Sequence, residues 1–515
     1  MHTAGLIYTA FGLFLVYFVY VSLASPLRAI PGPFAARFTR FWYFFHVRSG
    51  RFEKENIALH RKYGPIVRVS PDHYSIDDPG VIKSVYSHSS KFRKSDWYYG
   101  WQHPSPERWT MFPDRDIRRH AETRRRFQAM YSMSSIVTYE KFVDECGDMF
   151  LRRLRELAED GPSHLDMGHW FQCYAFDVIA CITYGRRLGF LDEGNDQGLF
   201  ALLDKMGVYS TLVGIFPRLH PLIFDIVAKL PGSGAGGRVF VQNFVFKQVA
   251  ARRKQREEGA EEKEVGAGRN VDFLDRLLDQ NEEDPLKVTT HHVHMMGLSN
   301  IIAGSDTTAI SLDATLYFLL KNPATLAKLR QELADSASKG LISENVTFRE
   351  SQELPYFQAV MKEALRLHPA VGLPLWRVVP EEGAEISGQF FPAGTVVGLN
   401  CWTAHYSEDV FGPDAKQFRP ERWLQAPGEA DSQFKQRQQA MDAYYMPFGL
   451  GSRTCLGRHI SFLEMSKILP RLIQDFDIEL KNPTKEWSCE NNWFVKPKDF
   501  LVRVSLREKP AEGLF

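Results

Sequence analysis

A chain of 515 residues is long enough for several domains or for one large enzyme, so length alone decides nothing. With 44% hydrophobic, 13% aromatic and 24% charged residues it has the composition of a folded globular protein, which excludes disordered and collagen-like chains. A formal net charge of +1 excludes bulk electrostatic capture of nucleic acid and confines any basic patch to a local surface. The six cysteines, at positions 146, 173, 181, 401, 455 and 489, form no CxxC pair, which fits a reducing compartment better than a zinc module or a disulfide scaffold.

In chain order, Ala4 to Ala24 carries no charge, and at about 1.5 Å rise per residue it just crosses a hydrocarbon core of roughly 30 Å. Ser22, Leu23 and Ala24 resemble a signal cleavage site. However, no Lys or Arg precedes the run, which also exceeds the roughly 7 to 15 residues of a signal core. A single transmembrane anchor over 4–24 is therefore the expectation. Arg28, Arg37 and Arg40 follow it, which puts the bulk of the chain in the cytosol. Pro26, Pro31, Gly32 and Pro33 cannot continue a helix, so 25–48 reads as a proline-rich hinge leading into a catalytic domain over 49–515.

Short strands are expected at Ile66 to Val69, His73 to Ile76 and Thr395 to Leu399. Trp97, Tyr98, Tyr99 and Trp101 form an aromatic cluster read as a loop, and Val208 to Ile226 is largely apolar. Both suit a lid over a greasy pocket, with Asn300, Ala303, Leu373 and Phe494 as candidate lining residues. Ala251 to Asn270, rich in Arg, Lys, Glu and Gly, reads as an exposed loop. Helical spacing covers Asp272 to Leu278, Thr289 to Lys321, Pro323 to Leu333, Tyr356 to Leu367 and His459 to Phe476, so the fold class is mainly α with small β-sheets.

The Thr289 to Lys321 pattern is interrupted by Ala303, Gly304, Ser305, Asp306, Thr307 and Thr308, mostly poor helix formers whose side chains compete for backbone hydrogen bonds. Such a local conflict is expected at a functional site, with Gly304 leaving room for a small ligand. His291, His292 and His294 lack a Cys or carboxylate at ligand spacing and read as a solvated helix start. Glu363 and Arg366 stand three apart and share a helix face, where they can pair.

Residues 448 to 457 read FGLGSRTCLG and precede an amphipathic helix. Gly449 and Gly451 permit a tight turn, and the helix that follows directs its positive end at Cys455; both favour thiolate over thiol. A thiolate ligand pushes electron density onto haem iron and promotes O–O cleavage. Phe448 covers the sulfur, Arg453 is spaced to reach a haem propionate, and Gly457 allows close approach of the macrocycle. From average composition, this pattern arises by chance on the order of once in ten thousand sequences of this length.

On this decapeptide, with Glu363 to Arg366 as ExxR and Pro420, Glu421, Arg422 and Trp423, the chain resembles the cytochrome P-450 superfamily of haem-thiolate monooxygenases. The wording of Phe171 to Asp192, Ile302 to Leu312 and Leu373 to Pro380 is most similar to fungal pisatin demethylase-like members. The resemblance implies a cytochrome P-450 fold behind the anchor, haem b with Cys455 as axial iron ligand, and Asp306 with Thr307 as an acid-alcohol pair relaying protons to bound oxygen. It assigns Glu363, Arg366 and Arg422 to locking the fold. It makes His120, Arg124 and Arg377 propionate candidates beside Arg453, although the family often has Trp where His120 stands. It implies NADPH as electron source through an NADPH-cytochrome P-450 reductase, docking on Arg118, Arg119, Arg125, Arg126 and Arg458. It also implies a hydrophobic small-molecule substrate, hydroxylated or O-demethylated in fungal secondary metabolism or detoxification, at the endoplasmic reticulum membrane. The rival readings are a haem-thiolate isomerase or dehydratase and a non-catalytic haem sensor; the acid-alcohol pair speaks against both.

Overall fold

The computed structural model describes residues 25–159, 164–230, 232–258 and 271–507, with a few positions of the amino-terminal segment. The anchor expected over 4–24 thus lies largely outside the described residues. Among those described, no single helix is long and apolar enough to cross a membrane.

Helices dominate, and the central one is Met167–Tyr184. Asp166 caps its start by accepting from the N–H groups of Gly168 and His169, and Gly185 ends it at φ +70°. Nearly every side chain from Phe171 to Tyr184 is buried, because other helices surround it rather than solvent lying along one face. Among these are Glu140–Glu159, Thr290–Gly304 and Asp306–Lys321. Pro323 and Pro355 each stand in the first turn of a helix, where their missing N–H costs nothing.

The largest sheet has the order Ile66–Ser70, His73–Ile76, Val396–Leu399, Arg377–Val378, Arg93–Lys94, with one parallel pairing, His73–Ile76 beside Val396–Leu399. In its last pairing Lys94 stands directly opposite Arg377. Leu165–Asp166, Leu501–Leu506 and Phe476–Leu480 make a three-stranded antiparallel sheet, and Ser488–Asn492 with Phe494–Lys498 a terminal hairpin.

Several expectations are corrected here. Residues 25–48 are not a free hinge. Leu27, Ile30, Tyr43 and Val47 are buried in the domain, and Arg68 ties the segment down through the Leu27 carbonyl at 2.6 Å. The prolines mark corners of a packed segment. The aromatic cluster is a 3-10 helix, Asp96–Trp101, whose Trp97, Tyr98 and Trp101 are buried against Trp493, so it is core and not lid. Residues 251–258 continue the helix Gly234–Glu258, where Arg252 and Arg256 pair with Asp272 and Asp275; 259–270 lie outside the described residues. His292 is buried and closes a capping box with Thr289, so it is a helix cap and not a solvated residue.

Candidate active site

Cys455 sits between a short 3-10 turn, Gly451–Arg453, and the helix Arg458–Asp475. Its N–H donates to the Phe448 carbonyl at 2.7 Å, closing the loop into a tight arch. Gly451 adopts φ +59°, and a Cβ there would stand 1.8 Å from the Tyr86 carbonyl oxygen, so no other residue fits. A Cβ at Gly457 would meet nothing within 4 Å, which leaves that side of the loop open to a flat ligand. Desolvation pushes the Cys455 thiol up, while the N–H groups of Gly457 and Arg458 and the guanidiniums of Arg124 and Arg458 act the other way. Those groups, with the helix end, stabilise the thiolate a metal requires. The other cysteines are buried or half-buried.

The expected propionate cations converge. His120, Arg124, Arg377 and Arg453 line one cavity of about 310 Å³. Arg453 donates through Nη1 to the Asp114 carbonyl at 2.8 Å, yet its Nη2 is buried with no protein partner. Arg377 donates to the carbonyl of Trp376 at 3.0 Å. Desolvation and mutual repulsion push Arg453 down to about 10 and His120 down to about 2, so His120 is neutral and contributes hydrogen bonding, not charge. Arg124 also has a protein partner. Its Nη1 donates to the Thr454 carbonyl at 2.7 Å, so it braces the cysteine loop. Lys94, unread in the sequence, is buried opposite Arg377, with desolvation and then the charges of Arg377 and Arg453 pushing it far down. Like charges opposed on a sheet and an orphaned guanidinium nitrogen are both costly unless an anion joins them. Two carboxylates of a haem answer that need, and the residues present fit the group.

Beneath the loop, Arg366 binds Glu363 with two hydrogen bonds, at 2.9 and 2.7 Å, and Arg422 and Trp423 donate to the same carboxylate at 3.2 and 2.9 Å. All are buried. The trio is joined to the cysteine loop by His405, which sequence reasoning missed. Its Nδ1 bonds the Arg366 carbonyl at 2.9 Å, and its Nε2 accepts the Met446 N–H at 2.8 Å. This geometry demands the neutral ring, and desolvation with the Arg366 charge pushes His405 down to about 3.

On the facing side, the long helix breaks at Ser305 between Thr290–Gly304 and Asp306–Lys321. Thr307 donates to the Ala303 carbonyl at 2.8 Å, the back-bonding that opens such a turn. Ala303 is exposed and Thr307 half-buried, while Ser305, Asp306 and Thr308 are buried. Thr308 meets Ser461 at 2.9 Å, which fastens this turn to the helix that follows Cys455. Asp306 turns away from the open side, accepting from the Gln172 amide and from Lys496 Nζ at 2.8 Å. Gly304 leaves no room for a ligand: a Cβ there would stand 2.7 Å from Ile179, so the glycine serves helix packing. Asn300 and Leu373 are buried, and Asn300 bonds Tyr131 at 2.5 Å and Thr183 at 3.0 Å. Phe494 lines a crevice with Trp101, Ile302 and Asp306.

The family model of cytochrome P-450 matches residues 31–504. The chain belongs to the cytochrome P-450 family. Pisatin demethylase of Fusarium vanettenii is 36% identical over 487 residues, covering 94% of this chain and 91% of its own. The cytochrome P-450 monooxygenase gsfF of Penicillium aethiopicum is 34% identical over 508 residues, 98% of each chain. The monooxygenase cicH of Emericella nidulans is 36% identical over 503 residues, 96% of this chain and 97% of its own. As a P-450, the chain is an oxidoreductase whose implied cofactor is haem iron and whose implied partners are a redox protein and a hydrophobic substrate.

In this P-450 the sequence-read residues fall into two groups joined through Thr308 and Ser461. Cys455, Phe448, Gly451, Gly457, Arg453, Arg377, His120 and Arg124 gather about the cysteine loop, and Asp306 and Thr307 about the helix break. Lys94, His405, Gln172 and Lys496 belong beside them and carried no motif, since each reaches its place from an element far away in the chain.

Proposed function

We propose that this P-450 inserts one oxygen atom from O2 into a hydrophobic small molecule, by hydroxylation or O-demethylation, with NADPH electrons delivered through a membrane reductase. The observation that carries the reading is the pairing of a cysteine loop beside a cavity lined by Arg453, Arg377, Arg124 and His120 with a broken helix fastened to it through Thr308 and Ser461. When bound, haem with a thiolate ligand supplies oxygen binding and O–O cleavage. Cys455 would hold the group by its sulfur, and Arg453 and Arg377 would receive its carboxylates; Phe448 packs on Phe462 with ring centroids at 5.2 Å, which fixes its ring beside the cysteine loop. Thr307 holds its hydroxyl at the open turn, where the proton now donated to the Ala303 carbonyl would turn to a bound ligand, and Asp306 would exchange protons behind it.

The pisatin demethylase relative is named for demethylation, and other relatives are named monooxygenases, which favours insertion over the isomerase and dehydratase alternatives. We place the chain at the endoplasmic reticulum with one span over 4–24 and the domain in the cytosol. Supporting this, Phe41 and Phe45 near the amino terminus and Leu222, Ile226 and Leu230 are large exposed apolar residues. The two groups meet where Phe41 packs on Phe216 at 5.2 Å. For the reductase, Arg118, Arg125 and Arg458 are exposed, whereas Arg119 is held by Asp114 at 2.6 Å and Arg126 is half-buried near His292.

The test is turnover by the purified enzyme with reductase, NADPH and isotopically heavy oxygen gas, on a substrate found by comparing metabolites with and without the active gene. The expected product carries oxygen from the gas or has lost a methyl group. Conversion that proceeds without oxygen or NADPH overturns the reading in favour of an isomerase or dehydratase.

A further inference from the structure

Lys496 is a nearly buried cation at the meeting point of three elements. It lies on the strand Phe494–Lys498, its ammonium bonds Asp306 of the Asp306–Lys321 helix at 2.8 Å, and it also bonds Asp204 of the Leu199–Ile215 helix. The crevice between these elements is lined by Met206, Ile302 and Phe494 together with the three charged residues. The Lys496 side chain is 16% exposed and that of Asp306 6%, against 36% for Asp204. A buried carboxylate stripped of its only cation reverts toward the neutral acid. Both Asp306 oxygens are taken, one by Lys496 and one by Gln172.

We propose that Lys496 is a positioning residue for oxygen activation, holding Asp306 ionised and fixed, and that Asp204 sets how strongly it does so by competing for the same ammonium. This rests on the role given to Asp306 above. It links the proton-handling carboxylate to the Leu199–Ile215 helix, so a ligand that parts that helix from the terminal hairpin frees Lys496 for Asp306 alone. The charges facing Asp306 are Lys496 and, behind it, Asp204; Gln172 faces it as a neutral amide. Lys498 and Glu490 lie at the crevice rim, where they pair at 3.1 Å, and Asp313 is buried farther along the same helix. Burial raises Asp306, Lys496 opposes that rise, and Asp204 adds to it.

The two substitutions therefore act in opposite directions. Lys496→Met removes the cation and moves Asp306 upward; Asp204→Asn removes the competing anion and moves it downward. The experiment uses the haem-loaded full chain with reductase and NADPH and reads hydrogen peroxide formed per NADPH oxidised as a function of pH. Lys496→Met is expected to shift the acid limb of that profile up by about one unit, a tenfold change in the proton equilibrium. Asp204→Asn is expected to shift it down, Lys496→Arg to restore the wild-type profile, and Asp306→Asn to remove the limb. A thermal double-substitution cycle between Lys496→Met and Asp306→Asn, independent of turnover, is expected to give a non-additive midpoint. An unmoved limb in both Lys496→Met and Asp204→Asn, or shifts of the same sign, overturns the proposal. If Lys496→Met does not fold, the sign of the Asp204→Asn shift decides alone. Loss of the thiolate spectrum in the unmodified enzyme would instead overturn the functional reading, so the two failures are separable.

Discussion

Gly451 shows how much a single residue carries in this loop. Its left-handed φ was foreseeable from a glycine-rich turn, but the carbonyl of Tyr86 pressed against it was not, because Tyr86 belongs to a segment 365 residues earlier in the chain. Gly451→Ala is expected to abolish haem retention, checked by the ratio of haem to protein absorbance after purification; a fully loaded variant contradicts the account. His405 makes a second residue-scale prediction. Its folded value is about 3 against 6.5 for the free side chain, so the unfolded chain takes up a proton below about pH 6.5 that the folded chain refuses. The stability it contributes is whole above that pH and is lost progressively as the pH falls toward 3, by about 1.4 kcal/mol per pH unit. Denaturant titrations near pH 7, 6 and 5 are expected to show a shallower slope in His405→Gln by about that amount. Equal slopes would mean that the ring is not held neutral.

At the scale of elements, the strongly patterned helices were legible, and their bounds held to within a few residues where proline or a capping side chain marked them. Phe476 was read as the end of a helix and starts a strand instead, since Phe476–Leu480 finds partners in Leu501–Leu506 that no local pattern announces. The hairpin that delivers Lys496 was invisible for a related reason: its strands read SCENN and FVKPK, too polar to show alternation. The helix break was legible as a conflict, yet its parts divide differently from their order in sequence: Thr307 opens the turn, Gly304 packs, and Asp306 faces the hairpin. Thr307→Ala keeps the helix and removes only the hydroxyl, so a several-fold rise in peroxide per NADPH is expected with the haem spectrum unchanged. Unaltered coupling contradicts the relay. Glu363 holds Arg366 of its own helix together with Arg422 and Trp423 of the 3-10 turn Pro420–Trp423. Glu363→Gln strands buried charge and is expected to cost about 3 kcal/mol in a denaturant midpoint series.

For the whole molecule, family and reaction class were readable because the cysteine loop is contiguous and its spacing specific, whereas the cradle around it draws His120 and Arg124 from the helix Ile117–Phe127, Arg377 from a strand and Arg453 from the loop itself. The domain also begins earlier than the prolines suggest, since residues 27–48 are packed into it. The exposed apolar residues near positions 41–45 and 222–230 predict that a chain lacking 1–24 still sediments with lipid vesicles, and that replacing Leu222, Ile226 and Leu230 by Ser weakens this several-fold. Equal sedimentation by both contradicts a membrane face there. Asn345, exposed in an Asn-Val-Thr sequon, is expected to stay unglycosylated in a cytosolic domain; a glycan found there by mass spectrometry reverses the topology.

All of this depends on Cys455 binding iron through its sulfur. The direct measurement is the absorption spectrum of the reduced, carbon monoxide-bound protein. The account predicts the red-shifted Soret band of thiolate ligation in the unmodified chain and its loss in Cys455→Ser; a Soret band typical of imidazole ligation, or an unchanged band in the variant, contradicts it.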